Sequence, residues 1–125
     1  MKKLMLILGI FLSLNSFSQK KDVIKISNDS SQYEVTIFYP GFDLWLATSA
    51  RPRGFYSLQY LETQNKYYVT EWNYRYMSSK YNEEYNFYIH YDLEEKYGYE
   101  VNYLLFNYFQ YFMIKSKQRI GIRNR

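Results

Sequence analysis

An α+β fold is predicted, a small antiparallel sheet of two or three strands covered by helices, after a cleaved signal peptide. Three stretches carry that expectation. Tyr97 to Lys117 is long, apolar and uninterrupted, and as a helix it puts Val101, Leu105, Phe109, Phe112 and Met113 on one stripe. Tyr33 to Tyr39 and Tyr85 to Asp92 instead alternate at the two-residue period of half-buried strands. Two or three strands need a cover, and the last helix, from about Gly98 to Lys115, is the natural one.

Residues 1–18 read as an export signal. Lys2 and Lys3 begin it, Leu4 to Leu14 form the apolar run, and Ser16-Phe17-Ser18 offers a small-x-small cleavage site before Gln19. The run is too short for a stable span of a ~30 Å hydrocarbon core. The mature chain is then expected to be exported, to the periplasm or beyond the cell. The sequence has no cysteine, so the product is expected to lack both a lipid anchor and disulfides. Packing alone must hold it, and an aromatic content of 22 % supplies the area.

Residues 19–114 are read as one domain. Val23 to Ile26 suits a short edge strand, and Asn28-Asp29-Ser30-Ser31 a turn. In the next strand Tyr33, Val35, Ile37 and Tyr39 share a face, and Pro40-Gly41 ends it. Asp43 is placed to cap a short helix carrying Leu44, Trp45 and Leu46, which Arg51-Pro52-Arg53-Gly54 breaks. From Phe55 to Ser78, Leu58, Leu61, Tyr68, Trp72 and Tyr76 recur at helical spacing. One long helix, two helices parted near Asn65, or a hairpin using Tyr67 to Val69 would each fit. Tyr85, Phe87, Ile89 and Tyr91 form one face of the strand predicted at Tyr85 to Asp92, expected to pair with Tyr33 to Tyr39. The final helix is expected to keep Glu100, Tyr103, Asn107 and Tyr111 on its wet side. Residues 115–125 carry five basic residues and no acid, and read as a disordered tail suited to anionic surfaces.

Charge narrows the partners. From Asp29 to Ile114 there are eleven acids against six bases, a net charge of −5. An acidic body argues against nucleic acid. Catalytic classes are narrowed too, since a chain without cysteine has no thiol nucleophile and no sulfur metal site. His90 is the single histidine; it shares a strand face with Asp92, but no nucleophile elbow accompanies them. No catalytic residue, metal or cofactor is therefore assigned.

Binding chemistry is better represented. Arg51 and Arg53 lie just before a helix start, where guanidinium forks suit an anion or a partner, with Glu71 and Trp72 as further candidates. Alternatively an arginine pairs with Glu71, Glu100 or Asp43 and ties the loop to the body. Trp45, Tyr74 and Tyr88 are candidates for an aromatic platform, and Tyr103 is also expected outside. Glu71 with Glu62 or Glu100, beside Trp45 or Trp72, would suit glycoside hydrolysis.

Laid out in order, Pro40-Gly41-Phe42, Trp45-Leu46-Ala47-Thr48, Arg51-Pro52, Tyr68-Val69-Thr70-Glu71-Trp72-Asn73 and Tyr99-Glu100-Val101-Asn102-Tyr103 resemble a family of short exported proteins of Gram-negative bacteria, classed as a domain of unknown function. The resemblance covers about Tyr33 to Ile114. It implies export and nothing about activity; other members carry lipid-attachment cysteines, which this chain lacks. The expected function is a non-enzymatic module that binds or scaffolds an envelope protein or glycan. The alternative is a hydrolase of cell-wall or surface glycan using Glu71.

Overall fold

The computed structural model describes residues 24–29, 32–78 and 83–120. The signal peptide expected at 1–18, Ser30 and Ser31 of the expected turn, and Arg123 and Arg125 of the expected tail lie outside the described residues. Strands β1 (Ile24–Asp29) and β2 (Gln32–Ile37) pair antiparallel, with Ile24 opposite Ile37 and Asp29 opposite Gln32. The first strand therefore runs through Asn28 and Asp29, two residues that suggested a turn. In β2 the predicted alternation holds, with Tyr33, Val35 and Ile37 half-buried between exposed neighbours.

Helices α1 (Phe42–Ser49), α2 (Leu58–Met77) and α3 (Tyr99–Ser116) complete the α+β architecture. None of the described helices is long and apolar enough to cross a membrane. Gly41, not Asp43, caps α1; it adopts φ 84°, and a Cβ there would collide with the Tyr111 hydroxyl. That hydroxyl donates to the Pro40 carbonyl at 2.9 Å, so the turn after β2 is fastened to α3.

Ser57 caps α2, its Oγ accepting from the Tyr60 N–H at 3.0 Å. The helix continues through Asn65 because that residue is buried and bonded across the core. Its Nδ2 donates to both the carbonyl and the Oδ1 of Asn102, each at 3.0 Å. The Asn102 Oδ1 also accepts from the Tyr91 hydroxyl at 2.6 Å, and its Nδ2 donates to the Gly98 carbonyl at 2.8 Å. One side chain thus joins α2, α3 and the segment between them. Asn102→Leu is expected to cost about 3 kcal/mol, since it strands the Tyr91 hydroxyl and part of the Asn65 amide. A lower urea midpoint at unchanged slope would record that loss, and an unchanged midpoint would refute it.

Helix α3 is the centre of the molecule, contacting α2, β2 and α1. Its predicted stripe is buried at Val101, Leu105, Phe109 and Phe112. The face expected to be wet is buried as well, at Tyr103, Asn107 and Tyr111; only Glu100 stays exposed. Elements cover the helix on several sides, and the hydroxyls of Tyr103 and Tyr111 reach loop carbonyls. Tyr103 donates to Arg51, as Tyr111 does to Pro40.

The segment Tyr85 to Asp92 is not a strand, and the sheet of described residues has two strands. Its inward residues Tyr85, Phe87, Ile89 and Tyr91 are buried as the alternation predicts. Side chains of α2 supply what a neighbouring strand would have given. Trp72 Nε1 donates to the Phe87 carbonyl at 2.8 Å. Asn73 brackets Ile89, donating to its carbonyl at 2.9 Å and accepting from its N–H at 2.8 Å. Of the expected tail, the described residues 115–120 lie against the body. Lys117 turns it back at φ 59°, Gln118 accepts from the Tyr85 hydroxyl at 2.9 Å, and Ile120 is buried.

Candidate functional site

The structure does not gather the predicted residues into one site. Arg53 forms a two-pronged pair with Glu100, Nε to Oε1 at 2.8 Å and Nη2 to Oε2 at 2.6 Å. Its guanidinium also lies 4.5 Å from the Tyr103 ring centroid. The hydrogen-bonded pair holds the Glu100 carboxyl below its ordinary value and raises the Arg53 guanidinium. Tyr99 accepts from the Gly54 N–H and donates to the Tyr56 carbonyl, both at 2.8 Å. Residues 99, 100 and 103 thus share a helix face that binds the arginine loop to α3, one of the two roles foreseen for it. Arg51 stacks on Phe55 at 4.6 Å.

Glu71 lies elsewhere, accepting from Arg75 Nε at 2.8 Å one turn along α2. Arg75 in turn donates to the Tyr85 hydroxyl at 2.7 Å. Trp72 is 0 % exposed and belongs to the core, so it can be neither platform nor partner contact. Trp45 is half-buried against Phe42 and Tyr111. Of the expected exposed tyrosines, Tyr74 at 65 % and Tyr88 at 40 % are outside, while Tyr103 at 3 % is not.

Tyr88 does open onto a concave surface. With His90, Tyr91, Asp92 and Tyr97 it lines a depression of about 350 Å³. A second, of about 640 Å³, lies where the hairpin meets the start of α3, and Asn28, Gln32, Tyr33, Glu95, Lys96 and Tyr97 are among its walls. Tyr97 is common to both. Its ring meets Tyr33 edge-on at 4.7 Å and Tyr91 at 4.9 Å, and its hydroxyl accepts from the Asp92 N–H at 2.8 Å. These contacts fix the ring before any ligand arrives.

Local sequence explains the shape. Asp92 Oδ1 accepts from the Glu94 N–H at 2.9 Å and its carbonyl from the Glu95 N–H at 3.1 Å, which makes 92–95 a tight turn. Gly98, at φ 93°, lets the chain leave that turn and enter α3. Glu95 accepts from the Tyr33 hydroxyl at 2.6 Å, and this bond raises the phenol's pKa. Tyr33, Tyr97, Glu95, Asn28, Gln32 and Lys96 were not among the candidate site residues read from sequence. The cluster of turn-forming and charged residues before Gly98 was the available local signal.

Among the described residues no group of histidine, aspartate and glutamate is arranged to hold a metal ion. The arrangement instead offers ring faces beside amides and carboxylates, a surface suited to reversible binding. Comparison with curated proteins and with solved structures gives no match. The family model described as "Family of unknown function (DUF6146)" matches residues 4–124, and the chain belongs to that family.

Proposed function

We propose that the protein is an exported envelope protein that binds another envelope component without chemically altering it. The observation that carries this reading is the pair of open depressions that share Tyr97, each lined by tyrosines together with polar side chains. The amino-terminal Lys2-Lys3, the apolar run to Leu14 and Ser16-Phe17-Ser18 support the exported half of the proposal. Glu71 lines neither depression and is held by Arg75, so no observation favours a hydrolase built on it.

Photo-crosslinking side chains placed at Gln32 and at Tyr88 test the reading in the native envelope, with exposed Thr70 on α2 as control. Both groove positions are expected to capture the same envelope component, and Thr70 is not. Equal capture at all three positions, or a product retained inside the cell with residues 1–18 intact, would overturn it.

A further inference from the structure

We infer that the groove about Tyr97 takes a neutral oligosaccharide, laid as an extended chain over an aromatic track from Tyr76 through Tyr88 and His90 to Tyr97 and Tyr33. This rests on the binding function proposed above and names its ligand.

The track is made of two runs of ring contacts that meet at one depression. Tyr76, at the end of α2, meets Tyr88 at 6.0 Å between ring centroids, and Tyr88 meets His90 at 4.8 Å. Tyr88, His90 and Tyr97 line one depression, and Tyr97 passes the line to Tyr33 at 4.7 Å. Tyr76 at 39 % and Tyr88 at 40 % expose part of their rings. Tyr97 lines both depressions, so a single occupant that reaches into both must be elongated. A chain of sugar rings meets that demand, and a compact cofactor does not.

The flanking groups select the chemistry. Sugars present C–H faces to aromatic rings and hydroxyls to amides and carboxylates at the side. Here Asn28 and Gln32 offer both donors and acceptors, Asp92 and Glu95 accept, and Lys96 donates. An apolar peptide would strip water from those carboxylates without replacing it, which is costly.

Charge excludes acidic chains. The turn carries Asp92, Glu94 and Glu95 against Lys96, and Arg53 already neutralises Glu100. A uronic acid or phosphate-bearing polymer would meet net repulsion along this edge. Preorganisation favours the neutral ligand further. The Tyr33–Glu95 bond at 2.6 Å and the Asp92–Tyr97 bond at 2.8 Å fix two rings, so little side-chain freedom remains to be lost on binding.

Calorimetric titration of the mature chain with chitotetraose and cellotetraose, and with an oligogalacturonate as acidic control, tests the inference. At least one neutral tetramer is expected to bind about tenfold or more tightly than the acidic chain at low salt. Tyr88→Ala and Gln32→Ala are each expected to weaken it about three- to tenfold with the melting temperature unchanged. Absence of binding by both neutral chains, preference for the acidic one, or indifference to both substitutions in folded protein would overturn the assignment. If the neutral chains fail while Gln32 and Tyr88 still crosslink one envelope component, the ligand assignment falls and the binding function stands. If the crosslinks fail as well, both fall.

Discussion

Trp72→Ala is expected to destabilise the protein by about 3 to 5 kcal/mol, a large part of the 5 to 15 kcal/mol that holds a typical domain folded. The side chain is 0 % exposed. Its ring meets Tyr85 and Phe112 at 4.8 Å, Phe87 at 5.1 Å, Tyr108 at 5.8 Å and Phe109 at 6.0 Å. Truncation therefore leaves a cavity between α2, α3 and the extended segment. It also removes the indole N–H that the Phe87 carbonyl accepts. Trp72→Phe separates the two losses: most of the packing remains, and the cost is expected to fall to about 1 to 3 kcal/mol. Hydrogen exchange should quicken first in residues 85–91, whose outward side chains Tyr88 and His90 form one wall of the groove. If the phenylalanine variant unfolds at the same urea midpoint as the parent, the indole bond to Phe87 does not stabilise the fold.

Trp72 also shows what the sequence could convey. Its position on a helical stripe with Leu61 and Tyr68 marked it correctly as inward, yet its neighbourhood to Glu71 suggested a site. Adjacent residues on a helix point about 100° apart, so Trp72 enters the core while Glu71 stays part-exposed beside Arg75. The segment Tyr85 to Asp92 teaches a related lesson. Period-two alternation reported which side chains are buried and was silent about the hydrogen-bond partner, which proved to be Asn73 and Trp72 rather than a strand. Tyrosines were the hardest to place, since a phenol has an apolar body and a polar tip. Tyr103 and Tyr111 read as wet, yet are buried because Arg51 and Pro40 present carbonyls to their hydroxyls. The Arg53–Glu100 pair was among the named possibilities because opposite charges were available. The groove was not legible, because it forms where Tyr33 meets Glu95 and Tyr97, far apart in the chain, and no local pattern records that meeting.

A core built from phenols should be sensitive to alkali, and the expected result is cooperative unfolding as the pH climbs past about 10. Burial raises the pKa of Tyr39, Tyr68, Tyr85, Tyr91 and Tyr108, most strongly for the last two. The sign follows from proton counting. Above the ordinary phenol value the unfolded chain has released protons that the native state still holds, so stability falls as pH rises. Their contribution is whole below the unfolded value and lost on the way to the folded one. Each tyrosine kept protonated by the fold steepens the fall by about 1.4 kcal/mol per pH unit. Tyr108 offers the cleanest test, being 1 % exposed, with burial the leading cause that raises its pKa. Tyr108→Phe should leave stability at neutral pH within about 1 kcal/mol and make the alkaline fall shallower by one tyrosine's share. Circular dichroism and phenolate absorbance followed together against pH would measure both. Were the 17 tyrosines to titrate fully before the ellipticity changes, or the variant to unfold at the parent's alkaline midpoint, burial would not be what keeps these phenols protonated.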